Sequence, residues 1–470
     1  MTSANADVLP SINSQNEIKW QLLELASANF DKRFAIQFDR VISNINNEKI
    51  YVQELGKAYY LIKKFRTFYA TLQWQNKQDF DFIFPIVSIS KKDFENYNNL
   101  VLSGRLFEEL VNLRPNTPYY LDYRHEIEFY LKREDIQIAP YKFKVVNEKS
   151  SGDNINILKK SLKAKGYLDS GCPIDGIYDL ELSQAIKNFQ SDYGLVSDGI
   201  VGEKTYQLLF MSNNLKVVEL ARSILRLSDV RLQNFETYIL VNIPDAFLHV
   251  YSNGTNVIDS RVIVGKLGAK TPMLDGVINN VVFNPTWTVP SSIKKDYLSK
   301  LKKDPYYLQK KGIWIVDKDN NVVDPGTIDI SNFEIGKFHY SMKQDSGVNN
   351  ALGLYKFNFP NSLSIYLHST SQPHLFKKVN RALSSGCIRV EKSRELAEFL
   401  LKGTYFTPKN IGKIVSSGET KWANLPVKTP LFIAYWTAYI GQNKVVYFRN
   451  DIYNIDTPKQ KLPLELSRHF

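Results

Sequence analysis

At Tyr238 the hydrophobic period of the chain changes, and that change constrains the fold more than any other feature. Before it, apolar residues recur at steps of three and four. Leu55, Ala58, Ile62, Phe65, Tyr69 and Leu72 lie along one helix face, with Lys57, Lys63, Lys64 and Arg66 largely elsewhere. Segments around Leu106 to Leu113 and from Tyr120 to Leu131 supply helices for that face to pack on. After Tyr238 come short β-branched and aromatic runs, Tyr238–Ile243, Phe247–Tyr251, Arg261–Val264 and Asn280–Phe283, which read as strands. Asn253-Gly254 between two of them is a strong hairpin signal. With 470 residues the chain has room for about three domains, and a single small module is excluded.

Punctuation divides the chain further. The expected order is a flexible tail over 1–15, an α-helical scaffold over 16–150, a compact module over 151–214 and a helix over 215–232 that returns to the scaffold. A β-rich domain follows over 233–410, with a C-terminal β-containing extension over 411–470. The polar break Ser150-Ser-Gly-Asp153 opens the module. In it Ile155, Leu158 and Leu162 begin a helix that Gly166 can end, Ala185, Ile186 and Phe189 begin another, and Asp175-Gly176 and Asp198-Gly199 make turns. Between Pro290 and about Asp345 the strand pattern lapses. Ile293, Tyr297 and Leu301 mark one helix that Asp304-Pro305 ends, and the rest is polar and glycine-punctuated. An insertion of that length, about 290–345, reads as a lid in which Tyr297, Tyr306 and Trp314 could cover a substrate. Strand character returns at Ser364–His368 and Ile388–Val390, a helix follows from about Ser393 to Leu401, and the segment from Trp422 to Asp456 carries further strand-like runs.

Composition removes several function classes. The net charge of +12 is spread thinly, and no zinc-finger spacing, RNA-recognition aromatic motif or basic zipper accompanies it, so a nucleic-acid partner is not expected. Two cysteines, Cys172 and Cys387, exclude a disulfide-dense scaffold and a four-cysteine metal or iron-sulfur site. Six histidines form no H-E-x-x-H pair, so the zinc-hydrolase pattern is absent and the list of possible catalytic groups is short. The longest uncharged apolar stretch, Leu431 to Ile440, is half of the about 20 residues a spanning helix needs. The opening Met1-Thr-Ser-Ala-Asn-Ala-Asp7 has neither the basic nor the apolar region of a secretion leader.

One stretch concentrates chemistry: Ile365-Tyr-Leu-His368, then Arg381, then Ser384-Ser-Gly-Cys-Ile-Arg-Val390. Cys387 sits among small residues that let a substrate approach the backbone, and His368 precedes it. The pair suggests a thiol nucleophile and its base, although a free cysteine is often a small buried hydrophobe and a strand histidine is often structural. An imidazole taking the thiol proton would enlarge the thiolate pool roughly 30-fold at pH 7, trimmed to about tenfold by the lower nucleophilicity of an acidic thiol. Backbone N–H groups around Gly386 and Cys387 aimed at a tetrahedral oxyanion would add on the order of 10² to 10³ per donor. Arg389, two residues beyond the nucleophile, either binds a carboxylate or braces its strand. Tyr366 either lines the substrate or packs in the core, Trp287 sits at the margin of the insertion, and His374 is the rival base.

Two resemblances add to this reading. Lys165-Gly-Tyr167, Asp175-Gly-Ile-Tyr178, Ala185-Ile-Lys-Asn-Phe-Gln190, Gly194-Leu195, Asp198-Gly-Ile-Val-Gly202 and Thr205 resemble the peptidoglycan-binding type 1 module, which implies a three-helix wall-associated domain. His368 with Ser384-Ser-Gly-Cys-Ile-Arg389 resembles the active-site motif of YkuD-type L,D-transpeptidases. Ser385 departs from the histidine most members carry there and is similar to the large periplasmic branch of that family. The likeness extends through Leu240–Pro244, Arg261–Gly265, Thr271-Pro272, Val282–Pro285, Trp287–Pro290, Asn349–Gly353 and Asp451–Asn454. It implies a multidomain α+β protein whose β-rich catalytic domain carries a lid. It further implies Cys387 as nucleophile and His368 as base, with Gly386, Ser385, Ser384, Arg389, Tyr366 and Trp287 forming the oxyanion or substrate site. The implied activity is 3-3 crosslinking of peptidoglycan, with tetrapeptide stems as donor and acceptor, carbapenems as inhibitors and no cofactor. The alternatives are an L,D-carboxypeptidase or amidase on stem peptides, and a non-catalytic wall-binding scaffold. The substrate places such a protein in the periplasm or cell envelope, with a leader or anchor absent from this chain, and there Cys172 is expected to be buried and reduced.

Overall fold

The structure is a computed structural model describing residues 8–117, 119–133, 145–228, 234–328, 338–441, 444–456 and 462–469. The chain divides into two compact units, Met1–Arg231 with Tyr435–Phe470, and Leu232–Ala434. The architecture is multidomain α+β, with helices and a small module in the first unit and a β-rich second unit.

In the first unit the apolar stripe makes the helix Glu48–Thr71, started by Asn47, whose side chain accepts the Ile50 N–H. Leu55, Ala58, Ile62, Phe65 and Tyr69 are buried as expected. They face the helices Ile12–Ser27 and Lys32–Ser43, the first of which begins inside the stretch read as a tail because the Ser11 hydroxyl caps the Ser14 N–H. The helix Asn213–Leu227 packs against Tyr120–Leu131 and Ile12–Ser27, and residues 229–232 of the expected return helix lie outside the described residues. It carries Arg222 and Arg226, both fully buried and both paired with buried Asp456 at 3.1 and 2.7 Å. Glu219 shares the site through Thr437, whose hydroxyl contacts both carboxylates. Burial and the Asp456 charge push the Glu219 carboxyl up to about 8.

The module forms three helices, Asp153–Ala164, Leu180–Asp192 and Glu203–Leu209. Buried Lys159 is neutralised by Asp175 and Asp179, and the Gln190 amide ties the second turn by donating to Asp198, the Ile200 carbonyl and Thr205. Cys172 lies in this module as a free, buried thiol, its pKa raised by desolvation and a hydrogen bond with Glu181.

The second unit is built on strands β1 (Thr237–Asn242), β2 (Phe247–Ser252), β3 (Thr255–Gly265), β4 (Leu274–Phe283), β5 (Trp287–Thr288), β6 (Ile313–Val316), β7 (Ser341–Gln344), β8 (Tyr355–Asn358), β9 (Leu367–His368), β10 (Ala382–Ser384), β11 (Ile388–Val390) and β12 (Lys421–Ala434). Asn253-Gly254 turns β2 into β3 with φ of +50° and +74°, the left-handed values such a two-residue turn requires. Nine strands form one mixed sheet in the order β10-β3-β11-β9-β8-β4-β12-β1-β2, and a β2–β3 pairing returns the ladder on itself. Long β12 lies between β1 and β4 within this sheet, so the expected boundary at 411 does not coincide with the end of the β-rich unit.

The insertion, expected to hold one helix, also carries strands of its own. Strands β5, β7 and β6 form a separate three-stranded sheet, and with the helix Ser291–Leu301 they bury Trp287, Leu298, Leu301, Leu308, Ile313 and Met342 in a core. The run Ile313-Trp-Ile-Val316 is short enough to disappear among flanking lysines, which is why periodicity passed over it. Residues 329–337 of the expected lid lie outside the described residues.

Candidate active site

Register assembles the site. Parallel pairing of β9 with β11 sets His368 opposite Arg389, and antiparallel pairing of β8 with β9 sets Lys356 opposite His368. Cross-strand partners project from the same face, so Lys356, His368 and Arg389 form one transverse row across three adjacent strands. Two positions back along the same extended segments lie Tyr366 and Cys387, which the period of two returns to that face. The Ile388 N–H donates to the Tyr366 carbonyl at 3.2 Å, the Tyr366 and His368 rings stand 5.8 Å apart, and the Lys356 ammonium sits 4.3 Å from the Tyr366 ring centroid.

Two hydroxyls fix the turn that carries the thiol. The buried Ser384 hydroxyl donates to the Cys387 carbonyl at 2.6 Å and accepts the Gly386 N–H at 3.1 Å. The Thr271 hydroxyl donates to the Gly386 carbonyl at 2.7 Å while accepting the Gly265 N–H at 2.8 Å. Gly386 has φ +120°, a conformation that L side chains rarely adopt. At Gly265 a Cβ would stand 2.1 Å from the Ala269 carbonyl oxygen, so only glycine lets the 266–271 turn fold back to deliver Thr271. The Gly386 N–H, expected at an oxyanion, is thus occupied by Ser384. Among the described residues the Cys387 N–H has no protein acceptor.

The sulfur is half-buried and free. Its S–H points to the Ser364 carbonyl at 3.8 Å, which reaches it because Ser364 adopts φ +57°. Desolvation raises the Cys387 pKa, opposed by hydrogen bonds from the Tyr366 backbone and phenol and by the Lys356 and Arg389 charges. His368 is buried, and its value falls to about 3 through desolvation first and then the Arg389 charge, with carbonyls of Ser369 and Leu352 opposing and Lys356 adding to the fall. Its Nδ1 has no partner that meets hydrogen-bond geometry. Thiol and imidazole are therefore both neutral at rest, and the thiolate–imidazolium gain expected from the sequence does not apply to this state. Burial between two cations disfavours the imidazolium.

The remaining expected residues are distributed unevenly. Trp287 is buried in the core of the insertion and meets the site through Tyr366, which packs on that core. Ser385 is exposed. His374 is exposed in the short turn Pro373–Lys377. Of the aromatics expected to cover a substrate, Tyr297 packs on the insertion core, Trp314 donates to Asp345 at 2.9 Å, and Tyr306 is exposed. Sequence reasoning missed Lys356, Thr271 and Ser364. Thr271-Pro272 stands out in the sequence only as part of the family likeness, and Lys356 only as a lone lysine in an otherwise strand-like run.

A half-buried thiol, a buried imidazole and two cations on one sheet face define a site suited to acyl transfer through sulfur. Comparison with known proteins agrees with this class. Residues 236–415 match the L,D-transpeptidase catalytic domain family (YkuD), and residues 151–209 match the "Putative peptidoglycan binding domain" family. The chain thus carries a YkuD L,D-transpeptidase catalytic domain and a peptidoglycan-binding module of that family. It is 42% identical over 226 residues to a "Putative L,D-transpeptidase" of Haemophilus influenzae, covering 48% of this chain and 46% of that protein. It is 36% identical over 73 residues to the "Spore cortex-lytic enzyme" of Bacillus subtilis, covering 15% of this chain and 23% of that protein. The chain therefore spans less than half the length of these curated relatives. A solved L,D-transpeptidase structure from Xylanimonas cellulosilytica matches at 13% identity and a TM-score of 0.20, covering 63% of this chain and 100% of that one, a likeness too slight to carry a conclusion.

Proposed function

We propose that the protein is a cell-envelope L,D-transpeptidase that forms 3-3 crosslinks in peptidoglycan through a thioester on Cys387. The observation that supports this most is the shared face of Cys387, His368, Tyr366, Lys356 and Arg389 within a domain matching the transpeptidase family. Cys387 sulfur attacks the carbonyl of the third, diamino-acid residue of a tetrapeptide stem, and His368 takes the thiol proton. The Cys387 N–H stabilises the tetrahedral oxyanion, and Ser384 and Gly386 hold that amide in place. Collapse breaks the C–N bond, and His368 returns the proton to the departing D-alanine amine. A side-chain amine of a second stem then attacks the thioester, giving up a proton as the thiol re-forms. Tyr366, backed by Trp287, lines the sulfur and limits the access of water, which would otherwise hydrolyse the thioester and yield carboxypeptidase products.

The test is product analysis on purified stems with an amine acceptor present or withheld. Cys387→Ala should abolish 3-3 dimers while the protein remains folded, and dimers persisting in that variant would refute the assignment. Carbapenems, as acyl-donor mimics, should add once to Cys387 by intact mass. His368→Ala should slow acylation strongly and His374→Ala should not.

A further inference from the structure

Lys356 and Arg389 flank the imidazole from either side, and neither has an anionic partner among the described residues. Arg389 reaches the Gln372 amide oxygen at 3.4 Å, and Lys356 stands over the Tyr366 ring at 4.3 Å. Among the described residues no carboxylate lies within ion-pair distance of either. Both are half-buried, and desolvation lowers the pKa of each. Half-buried cations left without a counter-charge are costly, whereas the fully buried Arg222, Arg226 and Lys159 are each paired with a carboxylate. The two Cα positions are separated by two strand spacings, roughly 10 Å, so both long side chains can reach one group lying over His368 and Cys387.

The geometry points to a carboxylate-binding site formed by Lys356 with Arg389, which seats an anionic group of the acyl donor beside the thiol. This rests on the acyl-transfer reading above and deepens it. Such a group also alters the chemistry of the row. With the two cations neutralised, an imidazolium at His368 is no longer opposed from both sides, so donor binding itself prepares the base. Two carboxylates of a stem could serve: the terminal one on the departing residue, three bonds from the attacked carbonyl carbon, or the one on the diamino-acid side chain.

The test uses the full chain with Lys356→Gln and Lys356→Arg and has two readouts. The first is alkylation of Cys387 by iodoacetate against iodoacetamide, scored by peptide mapping so that Cys172 does not interfere. In the unsubstituted protein the anionic reagent should be favoured relative to free cysteine. Lys356→Gln should lower that preference by about tenfold, the effect of one charge-assisted hydrogen bond lost. Lys356→Arg should retain it. An unchanged ratio in Lys356→Gln overturns the inference. The second readout is KM for donors amidated at one carboxylate or the other. The donor whose amidation raises KM in the unsubstituted protein but not in Lys356→Gln identifies the carboxylate. If neither amidation raises KM while turnover proceeds, the inference fails and the transpeptidase reading stands. If no donor is turned over but the iodoacetate preference still follows Lys356, the transpeptidase reading fails and the carboxylate site stands.

Discussion

Removal of the Ser384 hydroxyl should disable the turn without touching the sulfur. Ser384→Ala strips the partner from two backbone groups at once, the Gly386 N–H at 3.1 Å and the Cys387 carbonyl at 2.6 Å. A buried polar group left unpaired costs about 1–3 kcal/mol. Gly386 is buried, whereas solvent reaches the half-buried Cys387 side, so the combined loss falls at about 2–4 kcal/mol rather than at twice the upper figure. A turn so destabilised escapes to other conformers, and the population that presents the Cys387 N–H correctly falls by about 30-fold to about 10³-fold. The value of kcat/KM for crosslinking should fall by that factor. Iodoacetamide, which needs only an accessible sulfur, should alkylate Cys387 within a few-fold of its normal rate. Thr271→Val removes the other staple and should give a comparable loss. The double variant should lose much less than the sum, because both hydroxyls hold one turn. A Ser384→Ala enzyme with kcat/KM within about threefold of normal would refute the reasoning.

Other outcomes follow from the same contacts. Asp456→Ala removes the carboxylate paired with the buried Arg222 and Arg226 guanidiniums and should cost about 3–5 kcal/mol, read as a lower midpoint in denaturant unfolding followed by a tryptophan of the first unit. The folded Glu219 carboxyl, pushed up from 4.5 to about 8, contributes stability that is complete below the lower value and is lost as pH rises through the upper. Melting temperature should therefore decline between about pH 5 and pH 8 less steeply in Glu219→Gln than in the unsubstituted protein, and equal slopes would exclude the carboxyl as the cause. Because burial raises the Cys387 pKa and lowers that of His368, iodoacetamide alkylation of the resting enzyme should climb into the alkaline range; a plateau from pH 5 to 7 would instead reveal a preformed ion pair. Gly265→Ala should fail to accumulate as folded protein, since its Cβ meets backbone rather than a movable side chain.

Sequence alone carried the local elements whose signals are local. The stripe from Leu55 to Tyr69 forces a helix because a 3.6-residue period aligns it, and Asn253-Gly254 forces a hairpin because few other pairs tolerate both left-handed positions. Cys387 and His368 stood out because small residues around a cysteine are chemically unusual and the motif lies within about 20 positions of sequence. What the chain could not declare was adjacency set by strand register. Lys356 lies 31 positions before Cys387 and joins the site only because β8 pairs with β9 and β9 with β11. Thr271 lies 115 positions from the Gly386 carbonyl it holds. Resting protonation was decided by tertiary structure too, since an imidazole is a ready base in water and a reluctant one when buried between two cations. Residue types and their periods are properties of the chain; which charges face one another depends on how distant strands align, and no local pattern encodes that alignment.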